Sequence, residues 1–303
     1  MRHLRRPLLL ITAVTLFVML AAGILAAPAV RHALAASNQA PDYLALGDSV
    51  AFGYSPLVDP SDPHNFSGYP TSAARALKEN LTNASCPGET SGHFIDLTDS
   101  DNGCGAFRAH FPLHVAYSGT QLEFADSFLQ SHPNTQLVSM NIGANDLFVL
   151  IRACGGSTTP AEINCIVTGL PGMLQTLATN LSTIYAHIRS VDGYHRQLVS
   201  LTYYSLNYSP ANSTGTAIIS EVNTVVAQVT QAFGGTVADG FGAFQSVTAA
   251  FNGDACAAGL LVLVSSDPVS CNIHPSYPGD DGLERHSTPG RDALGQAIVS
   301  ALG

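Results

Sequence analysis

Tyr43-Leu44-Ala45-Leu46-Gly47-Asp48-Ser49-Val50-Ala51-Phe52-Gly53 is a short apolar run that stops abruptly at Gly-Asp-Ser and continues through small residues to a second glycine. A buried strand of a parallel sheet reads this way when it delivers one hydroxyl to the rim of the sheet. Open α/β sheets carry their chemistry at the carboxyl ends of their strands. Ser49 is therefore the candidate nucleophile. Gly, Asp and Ser are also the ordinary residues of a turn that ends a strand, so the rest of the chain has to decide.

Downstream, the same pattern recurs. A proline- and glycine-rich loop leads to helical spacing from Thr71 through Leu77, and a second strand end follows at Asn83–Thr90 with Gly88 at its tip. Gly92 to Leu113 reads as irregular. Gln121, Leu122, Phe124, Ala125, Phe128 and Leu129 recur at helical spacing, and Thr135–Ile142 is an apolar, β-rich run that ends in Gly143-Ala144-Asn145-Asp146. Pro160–Ile188 is helical with a break expected at Leu170-Pro171-Gly172. Gln197–Tyr203 and Thr236–Phe241 read as strands four and five, with a helix over Ala217–Phe233 between them. Cys256–Cys271 reads as a loop around an apolar patch, and Pro289–Leu302 as the closing helix, with proline near its first turn. Strands alternating with helices at this spacing mean βαβ units and a mostly parallel sheet covered on both faces. No repeat or linker divides the chain after its first 36 residues.

Composition narrows the function. The chain of 303 residues is 46% hydrophobic and 11% charged, which excludes a disordered chain. Its formal charge of -10, from 12 basic and 22 acidic residues, argues against nucleic acid as a partner. Residues 1–36 read as an export segment: Arg2, Arg5 and Arg6 precede a continuous apolar run from Leu8 to Ala27, and Ala33-Leu34-Ala35 supplies small residues. The run is also long enough to span a bilayer, so a cleaved signal peptide and a retained membrane anchor both stay open. The expected location is secreted or, if anchored, membrane-bound and facing outside. Six cysteines in an exported chain suggest disulfides. Fifteen pairings are possible for six cysteines. Nearest-neighbour pairing closes three short loops, 86–104, 154–165 and 256–271, each rich in turn-forming residues. Zinc is disfavoured because no Cys-x-x-Cys pair exists.

Three strand ends thus carry small polar tips, and His274-Pro275 stands ahead of the last helix. A serine hydrolase needs a nucleophile, a base within hydrogen-bond reach and donors aimed at the developing oxyanion. Ser49 supplies the first. Gly88 lets a backbone N–H approach a substrate closely. The Asn145 amide is a neutral donor that does not titrate.

In these residues the chain resembles the GDSL/SGNH hydrolase family of esterases and lipases. The resemblance rests on Gly47-Asp48-Ser49, Gly88, Gly143-Ala144-Asn145-Asp146 and Ile273-His274-Pro275, and CPGET at 86–90, QLEFA at 121–125, YY at 203–204 and ACAAGLL at 255–261 are similar to the secreted bacterial branch. It implies one SGNH hydrolase domain over 37–303, with a three-layer α/β/α, flavodoxin-like fold around a five-stranded parallel sheet. It implies Ser49 as nucleophile, an oxyanion hole of the Ser49 and Gly88 N–H groups plus the Asn145 side chain, and no cofactor or metal. The substrate would be a small-molecule or lipid ester, the enzyme a monomer, and membrane association would run through the N-terminal apolar segment.

The base departs from the family pattern. The family ends in Asp-x-x-His, but Cys271 stands three residues before His274, with Asn272 between. His274 and His286 are both candidates. His286 has Asp280, Asp281 and Glu284 upstream. His274 has the better local motif and is favoured, with a backbone carbonyl as its orienting acceptor and a Ser–His dyad in place of a triad. Other constellations fall away. No Gly-x-Ser-x-Gly elbow, dinucleotide fingerprint or P-loop is present. His110 and His114 read as surface residues around Pro112. Asp99, Asp101 and Gly103 do not keep calcium-loop spacing. The rival reading from a different class is an exported binding or cell-surface module that keeps the fold without turnover. A complete Ser/Gly/Asn/His set favours the esterase.

Overall fold

Strand β1, Asp42–Gly47, is buried from Tyr43 onward with no alternation, as expected of a parallel strand covered on both faces. The computed structural model describes residues 40–191, 193–277 and 289–303, and Pro41–Gly303 forms one compact unit. The export segment and His286, with Asp280, Asp281 and Glu284, lie outside the described residues.

After β1 come α1 (Ser49–Phe52), α2 (Tyr69–Leu77), β2 (Asn80–Asn83), α3 (Cys104–His110), α4 (Gln121–Ser131) and β3 (Thr135–Asn141). Next are α5 (Ala144–Ala153), α6 (Pro160–Ala186), β4 (Gln197–Leu201), α7 (Ser213–Ala232), β5 (Thr236–Ala238) and α8 (Gly240–Thr248). A hairpin of β6 (Leu261–Ser266) and β7 (Val269–Pro275) and the helix α9 (Gly290–Leu302) complete the chain. The five strands β1–β5 form one parallel sheet in the order β2-β1-β3-β4-β5. Helices α2, α8 and α9 pack on one face, and α4, α6 and α7 on the other. This is the expected three-layer α/β/α arrangement.

The strand order fixes where a ligand can sit. The chain leaves β1 in one direction to reach β2 and in the other to reach β3, so the crevice between β1 and β3 is the topological switch point. Ser49 follows β1 and Asn145 follows β3, on either side of that crevice.

The structure revises four readings. Helix α6 runs unbroken through Pro171, because Leu170, Leu177 and Leu181 bury its face on both sides of the proline and outweigh the one lost hydrogen bond. The 256–271 segment is not only a loop: it holds β6 and the start of β7, which pair antiparallel as far as Leu261 with Pro275. The stretch 92–113 contains α3, started at Gly103. His114 is not a surface residue, since its ring lies 4.4 Å from Phe52 and its Nε2 is 2.9 Å from Phe52 O.

Three disulfides join Cys86–Cys104, Cys154–Cys165 and Cys256–Cys271, the nearest-neighbour pairing. A bridge that closes a loop of about 15 residues stabilises by about 3 kcal/mol, chiefly by restricting the unfolded chain. Reduction is therefore expected to lower Tm by several degrees per bridge, at roughly 2–4 °C per kcal/mol. Thermal melts with and without reductant check this, and coincident melts would refute it.

Candidate active site

The position of Ser49, the candidate nucleophile, starts at Gly47. Its φ is +127°, and a Cβ there would lie 2.1 Å from Asn141 O, so only glycine lets β1 pass this close to the end of β3. The Gly47 peptide is held at both ends by Gln121, whose Oε1 accepts from Gly47 N at 2.6 Å and whose Nε2 donates to Gly47 O at 3.0 Å. Gln121 Nε2 also donates to buried Glu89, which in turn pairs with His93. The turn that presents Ser49 is therefore anchored to α4 and to the loop after β2.

Asp48 caps α1, accepting from Val50 N at 2.9 Å, so Ser49 is the first helical residue and its N–H has no helical carbonyl to meet. Asp48 also accepts from Tyr203 Oη at 2.5 Å and from Asn145 Nδ2 at 3.3 Å. Its burial pushes the carboxyl up to about 7. Asn145 sits in the first turn of α5, and its side chain is buried against this carboxyl. Gly88 has φ +87°, and a Cβ on it would meet Asn102 O at 2.7 Å.

His274 comes in on β7. Side chains two apart on a strand share a face, and Asn272 uses this: its Oδ1 lies 2.5 Å from His274 Nδ1 and accepts from His274 N at 3.2 Å. The backbone N–H can only donate, so the atom facing it is the amide oxygen. That oxygen in turn places the proton on Nδ1 and leaves Nε2 as the free base. The expected backbone carbonyl is thus replaced by the Asn272 side chain. The ring of Tyr54 meets the imidazole at 4.9 Å, and burial holds His274 down at about 4. An uncharged acceptor does not offset that burial as a carboxylate would.

Ser49, Gly88, Asn145 and His274 line one concavity of about 450 Å³. Ser49, Asn145 and His274 also line an adjoining cavity of about 550 Å³, whose far walls are apolar: Leu147, Phe148 and Ile151 from α5, Ile166 from α6, and Ile218 and Ile219 from α7. The Cys154–Cys165 bridge ties the connection between α5 and α6 at the edge of that wall.

Sequence reading singled out these four residues but missed three that organise them: Gln121 under Gly47, Asn102 beside Asn145, and Asn272 as the partner of His274. For Asn272 the signal was available, since an Asn two residues before a His on a strand shares its face. Among the described residues, the side chains close enough to share a metal ion are Cys86, Glu89 and Cys104, and both sulfurs are tied up in a disulfide. No helix among the described residues is long and apolar enough to cross a membrane.

Residues 45–281 match the model of the GDSL-like Lipase/Acylhydrolase family. The fold is shared with an extracellular lipase from Streptomyces rimosus at 22% identity and a TM-score of 0.56, covering 86% of this chain and 100% of that one. It is shared with phospholipase A1 from Streptomyces albidoflavus NA297 at 18% identity and a TM-score of 0.53, covering 87% and 100%. An acetylxylan esterase from Geobacillus stearothermophilus aligns at 14% identity and a TM-score of 0.50, covering 87% and 94%. No curated protein matches the sequence.

Proposed function

The chain belongs to the GDSL-like lipase/acylhydrolase family, and from that premise we propose that it hydrolyses carboxylic esters of medium to long acyl chains through Ser49. The observation that carries this reading is the meeting of Ser49, Gly88, Asn145 and His274 in one concavity beside an apolar cavity.

In the proposed cycle Ser49 Oγ attacks the ester carbonyl carbon while its proton passes to His274 Nε2. The oxyanion is held by the Ser49 and Gly88 N–H groups and by Asn145 Nδ2. Collapse breaks the bond to the alcohol, which leaves with the proton from His274. Water then attacks the acyl group on Ser49, His274 takes its proton, and collapse returns that proton to Ser49 as the carboxylic acid departs. Asn272 keeps Nδ1 protonated throughout, so the roles of the two ring nitrogens do not exchange. The trio is Ser–His–Asn, with an amide oxygen where the family places a carboxylate.

The structural neighbours are named a lipase, a phospholipase A1 and an acetylxylan esterase, so acyl length is argued from the pocket alone. Burying one methylene is worth about 0.8 kcal/mol, or up to about fourfold in kcat/KM when the full amount is realised. A series of p-nitrophenyl esters is expected to rise in kcat/KM from acetyl toward octanoyl. A maximum at acetyl with a steady fall beyond it would remove the acyl-chain assignment and leave the short-chain esterase.

Export is part of the proposal. The basic and apolar N-terminal segment supports it, as do three disulfides, which persist in oxidising compartments.

A further inference from the structure

Asn102 lies on the loop that the Cys86–Cys104 bridge closes, and it touches both outer arms of the proposed oxyanion hole. Its backbone N–H donates to Gly88 O at 2.8 Å. Its side-chain Nδ2 donates to Asn145 Oδ1 at 2.9 Å. Its Oδ1 accepts from Arg152 Nη1 at 2.7 Å, and Arg152 Nη2 donates to Asp101 O at 3.2 Å.

A primary amide is nearly symmetric in shape, and turning it over exchanges a donor for an acceptor. For an oxyanion donor the difference is decisive: Nδ2 stabilises the developing charge and Oδ1 repels it. A guanidinium has no acceptor, so Arg152 obliges Asn102 to face it with Oδ1. Asn102 then faces Asn145 with Nδ2, and Asn145 must answer with Oδ1. That leaves Asn145 Nδ2 on the side of Asp48 and the site, where it donates to Asp48 Oδ2 at 3.3 Å. The hydrogen bonds run in one sense from a cation to a carboxyl. The carboxyl end enforces that sense only while Asp48 is ionised, and burial moves that group up to about 7. The guanidinium end enforces it at every working pH.

We propose that Asn102 and Arg152 are positioning residues that fix the orientation of the Asn145 amide, so that its Nδ2 and not its Oδ1 faces the oxyanion. The proposal rests on the oxyanion role given to Asn145 above. Asn102 acts on no reacting atom. It decides which end of another side chain does.

Asn102→Asp is the sharpest test, because it keeps an acceptor for Arg152 and removes the donor to Asn145. The expected result is a kcat about tenfold or more below wild type with KM nearly unchanged, the pattern of an interaction realised only in the transition state. The ceiling is the loss from Asn145→Ala, on the order of 10²–10³ in kcat for one oxyanion donor. In the Asn145→Ala background, Asn102→Asp is expected to add less than about twofold, since it acts through the missing amide. Arg152 is exposed, so its variants keep the fold. Arg152→Met is expected to lower kcat by roughly three- to tenfold, while Arg152→Lys, which retains a donor, stays close to wild type. If Asn102→Asp does not fold, as judged by circular dichroism and Tm, the Arg152 pair decides, and equal kcat for Arg152→Met and wild type overturns the proposal. A folded Asn102→Asp with wild-type kcat, or one whose effect multiplies fully with Asn145→Ala, overturns it as well. If Asn145→Ala itself leaves kcat unchanged, the oxyanion assignment fails and this proposal fails with it. A slow Asn145→Ala beside a normal Asn102→Asp removes only the relay.

Discussion

Alanine in place of Ser49 is expected to leave the protein folded and to cut ester hydrolysis by roughly 10⁴- to 10⁶-fold, the loss seen when a serine hydrolase is deprived of its nucleophile. The cost to the fold should be small. Ser49 is half-buried at the mouth of two cavities, and the turn that carries it is held by Gly47, Asp48 and Gln121 rather than by its hydroxyl. An organophosphonate is expected to add one covalent label to the wild-type protein and none to Ser49→Ala, with a matching melting curve. A label that persists on another serine of the variant would sink the assignment of Ser49.

His274→Ala is expected to lose several orders of magnitude in kcat, because without a base only binding and the oxyanion hole remain. The rival residue, His286, is expected to cost tenfold or less when changed to alanine. The contrast rests on geometry: His274 lines both cavities with Ser49, and its Nδ1 is fixed on Asn272 while its ring lies against Tyr54. Burial keeps it neutral, as a general base must be. Both variants measured on one chromogenic ester decide the matter. Reversed effects would make His286 the base, with Glu284 or Asp281 as its orienter.

The parallel sheet was legible from its two central strands: Tyr43–Leu46 is an unbroken apolar run, and Thr135–Ile142 is β-rich and almost wholly buried although Ser139 and Asn141 interrupt its apolar residues. Each ends in a short polar tip, and those tips carry the candidate site. What stayed hidden depends on contacts between distant segments. Pro171 looks like a helix stop until Leu177 and Leu181 bury the turns beyond it. The β6–β7 hairpin is masked by Cys256 and Cys271, which mark a loop in sequence although Cys271 lies in β7 and the bridge ties that strand to the turn ahead of β6. Asn102 reads as one polar residue among several in a turn-rich stretch. Its meaning appears only when the fold brings Gly88, Asn145 and Arg152 to its three polar groups.

The bridges have one more consequence, for the making of the molecule. Each cysteine is joined to the next one along the chain, at separations of 18, 11 and 15 residues, and no bridge interlaces with another. A chain that enters an oxidising space N-terminus first presents Cys86 and then Cys104 before Cys154 exists outside, and the later pairs follow in the same way. On the proposed export route, order of arrival favours the native partners. Such a chain reaches its final connectivity without the reshuffling by an isomerase that an interlaced pattern of six cysteines would demand.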